Sequence, residues 1–340
     1  MAAPGQPKLT DFKVLVFDVY GTLCDWESGI FNGLRPLLEG YPESQKWDRK
    51  DVLAAYAAVE HDLEAQFPDM LYSNLLAKIS EVLEERLKAQ SGNDSASTLD
   101  GSAATSTDSA SISAAEPSTS TTKSPTLNPH VAFGQSVQHW PIFPDSSAAL
   151  HELAKDYKLI VLSNVDRDSF RYTHAKLSLG TTASNAQELE IYNKPSSPLT
   201  TSTSSTADQQ QKLIYPQHWH PQETPNSRSP FSLIVTAQDV KCYKPALGGF
   251  HAVLECIRAD PALLGNLELS ADEVKEKVLI VAQSLEHDHE PAHRLGLTSV
   301  WIDRQEAVTC KNVPEGTKRW TWKFETLGEM AEAVSREKAT

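Results

Sequence analysis

The chain has few cysteines, no excess of basic residues and no long apolar run, and each shortage removes a class of protein. Its four cysteines, Cys24, Cys242, Cys256 and Cys310, are scattered without a Cys-x-x-Cys pair among 340 residues. That spacing excludes a disulfide-stapled scaffold and a Cys-rich zinc site, and the thiols read as small apolar core residues in a reducing compartment. Lys and Arg number 31 against 45 Asp and Glu, a formal net charge of −14. A nucleic-acid binder needs a basic face to meet phosphates, so no nucleic-acid partner is expected. No stretch approaches the ~18 consecutive apolar residues needed to cross a bilayer. Residues 1–8 also lack the apolar run of a secretory signal. The expected address is cytoplasmic, with no membrane partner.

Apolar residues make up only 40% of the chain, yet five short runs, at 14–17, 159–162, 233–235, 278–281 and 299–302, are intensely apolar. Each is too short for a helix and is bounded by polar or turn residues, as expected of parallel strands buried on both faces. Amphipathic segments at 144–156, 247–258 and 291–295 follow some of these runs. Strand and helix in alternation predict an α/β fold, a doubly wound parallel-sheet (Rossmann-like) core. Far more chain than a simple crossover needs separates the first two strands. Two helices are expected there, over 48–67 with an apolar stripe of Ala54, Val59 and Leu63, and over 69–88 with Leu71, Leu75, Ile79, Val82 and Leu83. The acidic residues of the first are placed on its outer side. An inserted helical cap over 26–140 follows, with the core formed by 1–25 and 141–335. Residues 90–129 and 179–230, rich in Ser and Thr, read as disordered insertions in cap and core. His218, Trp219 and His220 lie in the second, and without a third ligand nearby they read as an incidental loop sequence.

Ligands of open α/β sheets bind beyond the carboxyl ends of the strands, so the first polar residues after each apolar run carry the functional signal. These are Asp18, then Ser163 and Asn164, then Lys244 in Tyr243-Lys244-Pro245, then Ser284 and Asp288. Singly, each has a plain explanation as a turn, a helix cap or a solvated charge. Together they bring two carboxylates, an amine and hydrogen-bond donors to one crevice. His287, His289 and His293 flank Asp288. His293 fits the solvent face of the next helix, and His287 is a candidate proton donor at the crevice.

The series Asp18-Val19-Tyr20-Gly21-Thr22-Leu23, Leu162-Ser163-Asn164, Lys244-Pro245 and Ser284 to Asp288 resembles, in order, the four motifs of the haloacid dehalogenase superfamily. Within it the chain looks most like the L-2-haloacid dehalogenase (type II) branch, over roughly residues 12–90, 130–178 and 231–330. The resemblance implies a covalent aspartyl ester on Asp18, Lys244 holding that carboxylate, and Asp288 orienting Lys244 or the hydrolytic water. It makes Tyr20, Thr22, Ser163, Asn164 and Ser284 substrate-binding residues, and implies hydrolysis of a small anionic 2-haloacid without a cofactor. Superfamily phosphatases place a second Asp two residues after the nucleophile, to protonate an alkoxide. That position is Tyr20, which suits halide departure. The alternatives are a magnesium-dependent small-molecule phosphatase of the same superfamily and an inactive binding homologue. Two departures concern the leaving group: no arginine stands in the cap between Arg49 and Arg86, and Leu285 replaces the branch's asparagine. The oligomeric state is left open.

Overall fold

The computed structural model describes residues 7–96, 128–180, 218–267, 269–304, 307–309 and 318–340. Six parallel strands form its sheet: β1 (Val14–Phe17), β2 (Lys158–Ser163), β3 (Phe231–Thr236), β4 (Val278–Ala282), β5 (Thr298–Ile302) and β6 (Trp322–Phe324). Their order is β3-β2-β1-β4-β5-β6. β1 therefore sits at the centre, with Phe17 registered against Val161 on one side and Val281 on the other. Every residue of β1, β3 and β4 is buried, which is why β1 and β4 are uninterruptedly apolar and β3 departs from that only at Ser232 and Thr236. The period of two divides β1 between two cores. Leu15 and Phe17 join the larger, with residues of the helices Ser146–Leu153, Arg167–Leu179 and Leu327–Lys338. Val14 and Val16 join the smaller, with Phe250, Val253 and Ile257 of Gly248–Ala259. The doubly wound expectation holds; the three-residue β6 adds a strand that the apolar runs did not announce.

After β1 the chain leaves the core and returns along itself. Asp25 N–H donates to Pro141 C=O at 2.8 Å, and Phe143 N–H donates to Leu23 C=O at 3.0 Å. Between these points lie α1 (Trp26–Leu38), α2 (Arg49–Gln66), α3 (Tyr72–Ala96) and a short helix, Pro129–Gly134. Asp48 starts α2 with a reciprocal cap: its Oδ1 accepts from Asp51 N–H at 2.9 Å, and Asp51 Oδ2 accepts from Asp48 N–H at 3.1 Å. The buried stripe of α2 is Val52, Leu53, Tyr56, Val59 and Leu63. Ala54, expected in that stripe, is exposed, because the stripe is rotated toward the larger side chains beside it. In α3, Leu75, Leu76, Ile79 and Leu83 are buried, while Leu71, expected in the same stripe, precedes the helix and is exposed.

Residues 97–127 and 181–217, within the two segments read as disordered insertions, lie outside the described residues, as does Cys310. The remainder of those segments is structured. α3 continues to Ala96, and Trp219 C=O accepts from Ile234 N–H of β3 at 2.9 Å. The Trp219 ring stands edge-on to His174 at 4.8 Å, so this loop covers the outer edge of the sheet. Among the described residues no helix is long and apolar enough to cross a membrane.

Candidate active site

The strand order reverses between β1 and β4, and the polar residues that follow these strands meet at their carboxyl ends. The turn after β1 is tight: Val19 C=O accepts from Leu23 and Cys24 N–H at 2.7 and 2.9 Å. Gly21 sits at φ +100°, and a Cβ there would lie 2.9 Å from Gln283 Oε1, so the position requires glycine. This turn presents Asp18, whose own N–H is tied to Val281 C=O at 3.1 Å.

Lys244 stands at the centre. Its ammonium donates to Asp18 Oδ1 at 2.8 Å, to Asp288 Oδ1 at 2.7 Å and to Leu162 C=O at 3.1 Å. Three donors meet three acceptors, which fully satisfies a buried ammonium. Burial alone would lower its pKa, but Asp18 and Asp288 outweigh that and the net shift is upward, so Lys244 stays charged. One positive charge cannot fully neutralise two carboxylates. Burial, only partly offset by Lys244, raises Asp288 to about 7.

The elements around Lys244 hold it in place. Asn164 clamps its backbone from both sides: Oδ1 accepts from Lys244 N–H at 2.7 Å and Nδ2 donates to Lys244 C=O at 3.0 Å. Asp288 is carried inward by one π-helical turn, Leu285–His289, which begins where Ser284 Oγ accepts from His287 N–H at 3.0 Å. His289, in the same turn, is used structurally, bonding Ser299 Oγ at 2.8 Å and Ala282 C=O at 3.0 Å. His293 is exposed.

A cavity of about 60 Å³ opens above this group, lined by Asp18, Lys244, Asp288, Tyr20, Asn164, Ser284 and His287 from the core. Of the residues expected to touch substrate, Tyr20, Asn164 and Ser284 therefore line the crevice. Thr22 does not: its hydroxyl donates to Asp18 Oδ2 at 2.6 Å and accepts from Gln283 N–H at 2.8 Å. With its one proton given to the carboxylate, Thr22 orients Asp18 rather than a ligand. Ser163 is also absent from the lining; its buried Oγ has no hydrogen-bond partner among the described residues. The Tyr20 hydroxyl pairs with Thr173 Oγ1 at 3.1 Å, and no carboxyl occupies this position.

From the cap, Trp26 of α1, Glu60 and Glu64 of α2, and Tyr72 of α3 complete the lining. Sequence reasoning missed the two glutamates, having placed the acidic residues of α2 on its outer side. Like charges at i and i+4 on one helix face disfavour each other, and that spacing was the available signal. Glu60 Oε1 accepts from Tyr56 Oη at 2.7 Å and from Tyr72 Oη at 3.4 Å. Burial raises Glu60 to about 7, and burial with Glu60 alongside raises Glu64 to about 9. Among the described residues no arginine lines the crevice. Arg49, the nearest cap candidate, is bound to Ser28 Oγ at 3.0 Å and faces Glu27 at 3.5 Å. It lines a separate cavity of about 260 Å³ that includes neither Asp18 nor Lys244. On the cap side, where the resemblance implies an arginine to receive the departing halide, the described lining carries Glu60 and Glu64.

A magnesium ion would need oxygen ligands from this group. Both Oδ1 atoms are held by Lys244 and Asp18 Oδ2 by Thr22, leaving Asp288 Oδ2 as the carboxylate oxygen of the pair without a partner. Among the described residues no group of three or more His, Cys, Asp or Glu side chains could hold a metal.

No family model and no curated protein matches the sequence. Solved structures do match. A crystal structure of an L-2-haloacid dehalogenase aligns over 95% of this chain and 99% of its own, with a TM-score of 0.51 at 14% identity. The fold is that of the haloacid dehalogenases. The L-2-haloacid dehalogenase of Xanthobacter autotrophicus gives 0.50 at 15% identity over 95% and 98% of the two chains. A dehalogenase solved as an intermediate complex gives 0.52 at 13% over 94% and 96%. At such identities the likeness carries the haloacid dehalogenase fold, and the chemistry must be argued from the crevice.

Proposed function

We propose that this chain is a hydrolase working through an aspartyl ester on Asp18, with halide as the leaving group that Tyr20 in place of a carboxylic acid suits and a 2-haloacid as the substrate the resemblance implies. The observation that carries the reading is the Asp18–Lys244–Asp288 arrangement, a nucleophilic carboxylate oriented from both oxygens at the mouth of a small cavity. An Asp18 oxygen attacks the carbon in line with its halogen; the C–O bond forms, the C–halogen bond breaks, and halide departs with the electron pair. Water then attacks the ester carbonyl of Asp18, the product alcohol leaves, and Asp288 takes the proton of the water through its unpartnered Oδ2. Tyr20 in place of a carboxylic acid favours this leaving group, because halide needs no proton.

The test is a single turnover in ¹⁸O-labelled water with released halide as the readout. The label is expected first in the peptide containing Asp18, with Asp18→Asn inactive and EDTA without effect. Label appearing directly in the product, or turnover surviving Asp18→Asn, would refute the covalent route.

A further inference from the structure

The cap side of the crevice has a chemistry of its own. Three aromatic rings, Tyr20, Trp26 and Tyr72, share the lining with Glu60 and Glu64. Tyr56 and Tyr72 hydroxyls hold Glu60 at 2.7 and 3.4 Å, fixing its carboxylate toward the rings. Asp288, 2% exposed, lines the same space, and its Oδ2 has no hydrogen-bond partner among the described residues. Aromatic faces attract cations through their negative quadrupole, and two carboxylates beside them add a Coulombic attraction. Lys244, the only lysine or arginine of the lining among the described residues, already spends its three donors below.

We infer that the part of the substrate remote from the reacting carbon is a small ammonium group, held by Glu60, Glu64 and the rings of Tyr20, Trp26 and Tyr72. This inference rests on the proposed function for the placement of the reacting carbon at Asp18 and departs from it in the substrate, a halogenated amine in place of the 2-haloacid that the resemblance implies. A carboxylate in that position would face Glu60 and Glu64, with no arginine among the described lining residues. Burial, joined at Glu64 by the charge of Glu60 and only partly offset by Lys244, also holds Glu60 and Glu64 above the ordinary carboxylate range. An ammonium ion supplies that charge. The size of the cavity, about 60 Å³, limits the ligand to a few non-hydrogen atoms.

The test uses the whole wild-type chain and two ligands that cannot react, propylammonium and butyrate, titrated calorimetrically at pH 8. Propylammonium is expected to bind at least about tenfold more tightly than butyrate. Glu60→Gln with Glu64→Gln is expected to remove that preference. Butyrate binding as tightly or more tightly, neither ligand binding, or a preference untouched by the double substitution would each overturn the inference. Because no turnover enters this measurement, failure of the Asp18 chemistry is recognised separately, by activity in Asp18→Asn. Halide release from 2-chloroethylammonium against chloroacetate then joins the two claims, with the ammonium compound expected to be the better substrate.

Discussion

Two buried carboxylates share one ammonium, and this sharing decides how single residues in the crevice respond to change. Removing the lysine leaves Asp18 and Asp288, 8% and 3% exposed at their side chains, with no cation between them. Breaking a buried pair by removing one partner costs about 3–5 kcal/mol. Uptake of a proton by Asp288, already raised, relieves part of that repulsion, so Lys244→Met is expected near the lower end. At 2–4 °C per kcal/mol for a chain of this size, Tm should fall by roughly 6–12 °C. Adding Asp18→Asn to the lysine variant should recover stability, because it deletes one of the two facing charges, and a double-mutant cycle by thermal unfolding measures this. A Lys244→Met chain as stable as wild type would mean that the three contacts of the ammonium contribute nothing. Asp18, Lys244 and Asp288 were legible in the sequence because each follows an apolar run. Glu60 and Glu64 were hidden, because a polar residue on a cap helix looks the same whether it faces water or a crevice. The contacts of Thr22 were hidden for a related reason: a hydroxyl within reach of a carboxylate goes to whichever partner the backbone turn places nearer, here Asp18.

The elements show the same division between what composition reveals and what only packing decides. Strands buried on both faces announce themselves, since few polar residues are tolerated along them. Helix α1 does not, for it contains Gly29, Gly33 and Pro36, all poor helix formers. It forms because Asp25 caps its start, accepting from Ser28 N–H at 3.0 Å, and because its glycines admit aromatic rings. A Cβ on Gly29 would lie 2.4 Å from Trp140 Cγ, and one on Gly33 would lie 2.8 Å from Phe133 Cε2. The Trp140 ring stands edge-on to Tyr20 at 5.5 Å and to Tyr72 at 6.4 Å, so its position sets two of the crevice rings. Gly29→Ala and Gly33→Ala should both destabilise, by roughly 1–3 kcal/mol each, through overpacking. Only Gly29→Ala should also weaken ligand binding in the crevice, because only it displaces Trp140. Calorimetric titration alongside thermal unfolding separates the two effects. Equal loss of binding in both variants would show that α1 acts on the crevice as a rigid whole, not through that ring.

At the scale of the whole molecule, buried groups of opposite kinds bind protons against each other. Glu60 and Asp288 are raised to about 7 and Glu64 to about 9, mainly by burial. A carboxyl whose pKa is higher in the folded state contributes stability at low pH and loses it as pH rises through the folded value. The crevice should therefore cost the fold stability progressively from the unfolded carboxyl value of about 4 upward, with the loss from Glu60 and Asp288 complete near pH 7 and Glu64 alone continuing to about pH 9, although part of the surface of Glu60 and Glu64 is exposed and damps the effect. Two buried histidines act the other way. Burial lowers His174 to about 3 and His289 to about 4. Their contribution is present above the unfolded value of about 6.5 and is lost as pH falls below it, by about 2 kcal/mol each at pH 5. Thermal unfolding across pH should thus show Tm rising as pH falls from 9 toward 6.5, then a weaker slope below, where histidines and carboxyls oppose each other. Glu60→Gln with Glu64→Gln should flatten the upper limb while leaving the histidine effect in place. The conflict is physical: the charges that fit the crevice for a cation are the charges the fold holds least willingly without one, so propylammonium should raise Tm most at pH 9. A ligand effect on Tm equal at pH 6 and pH 9 would break that link between the crevice carboxylates and the stability of the chain.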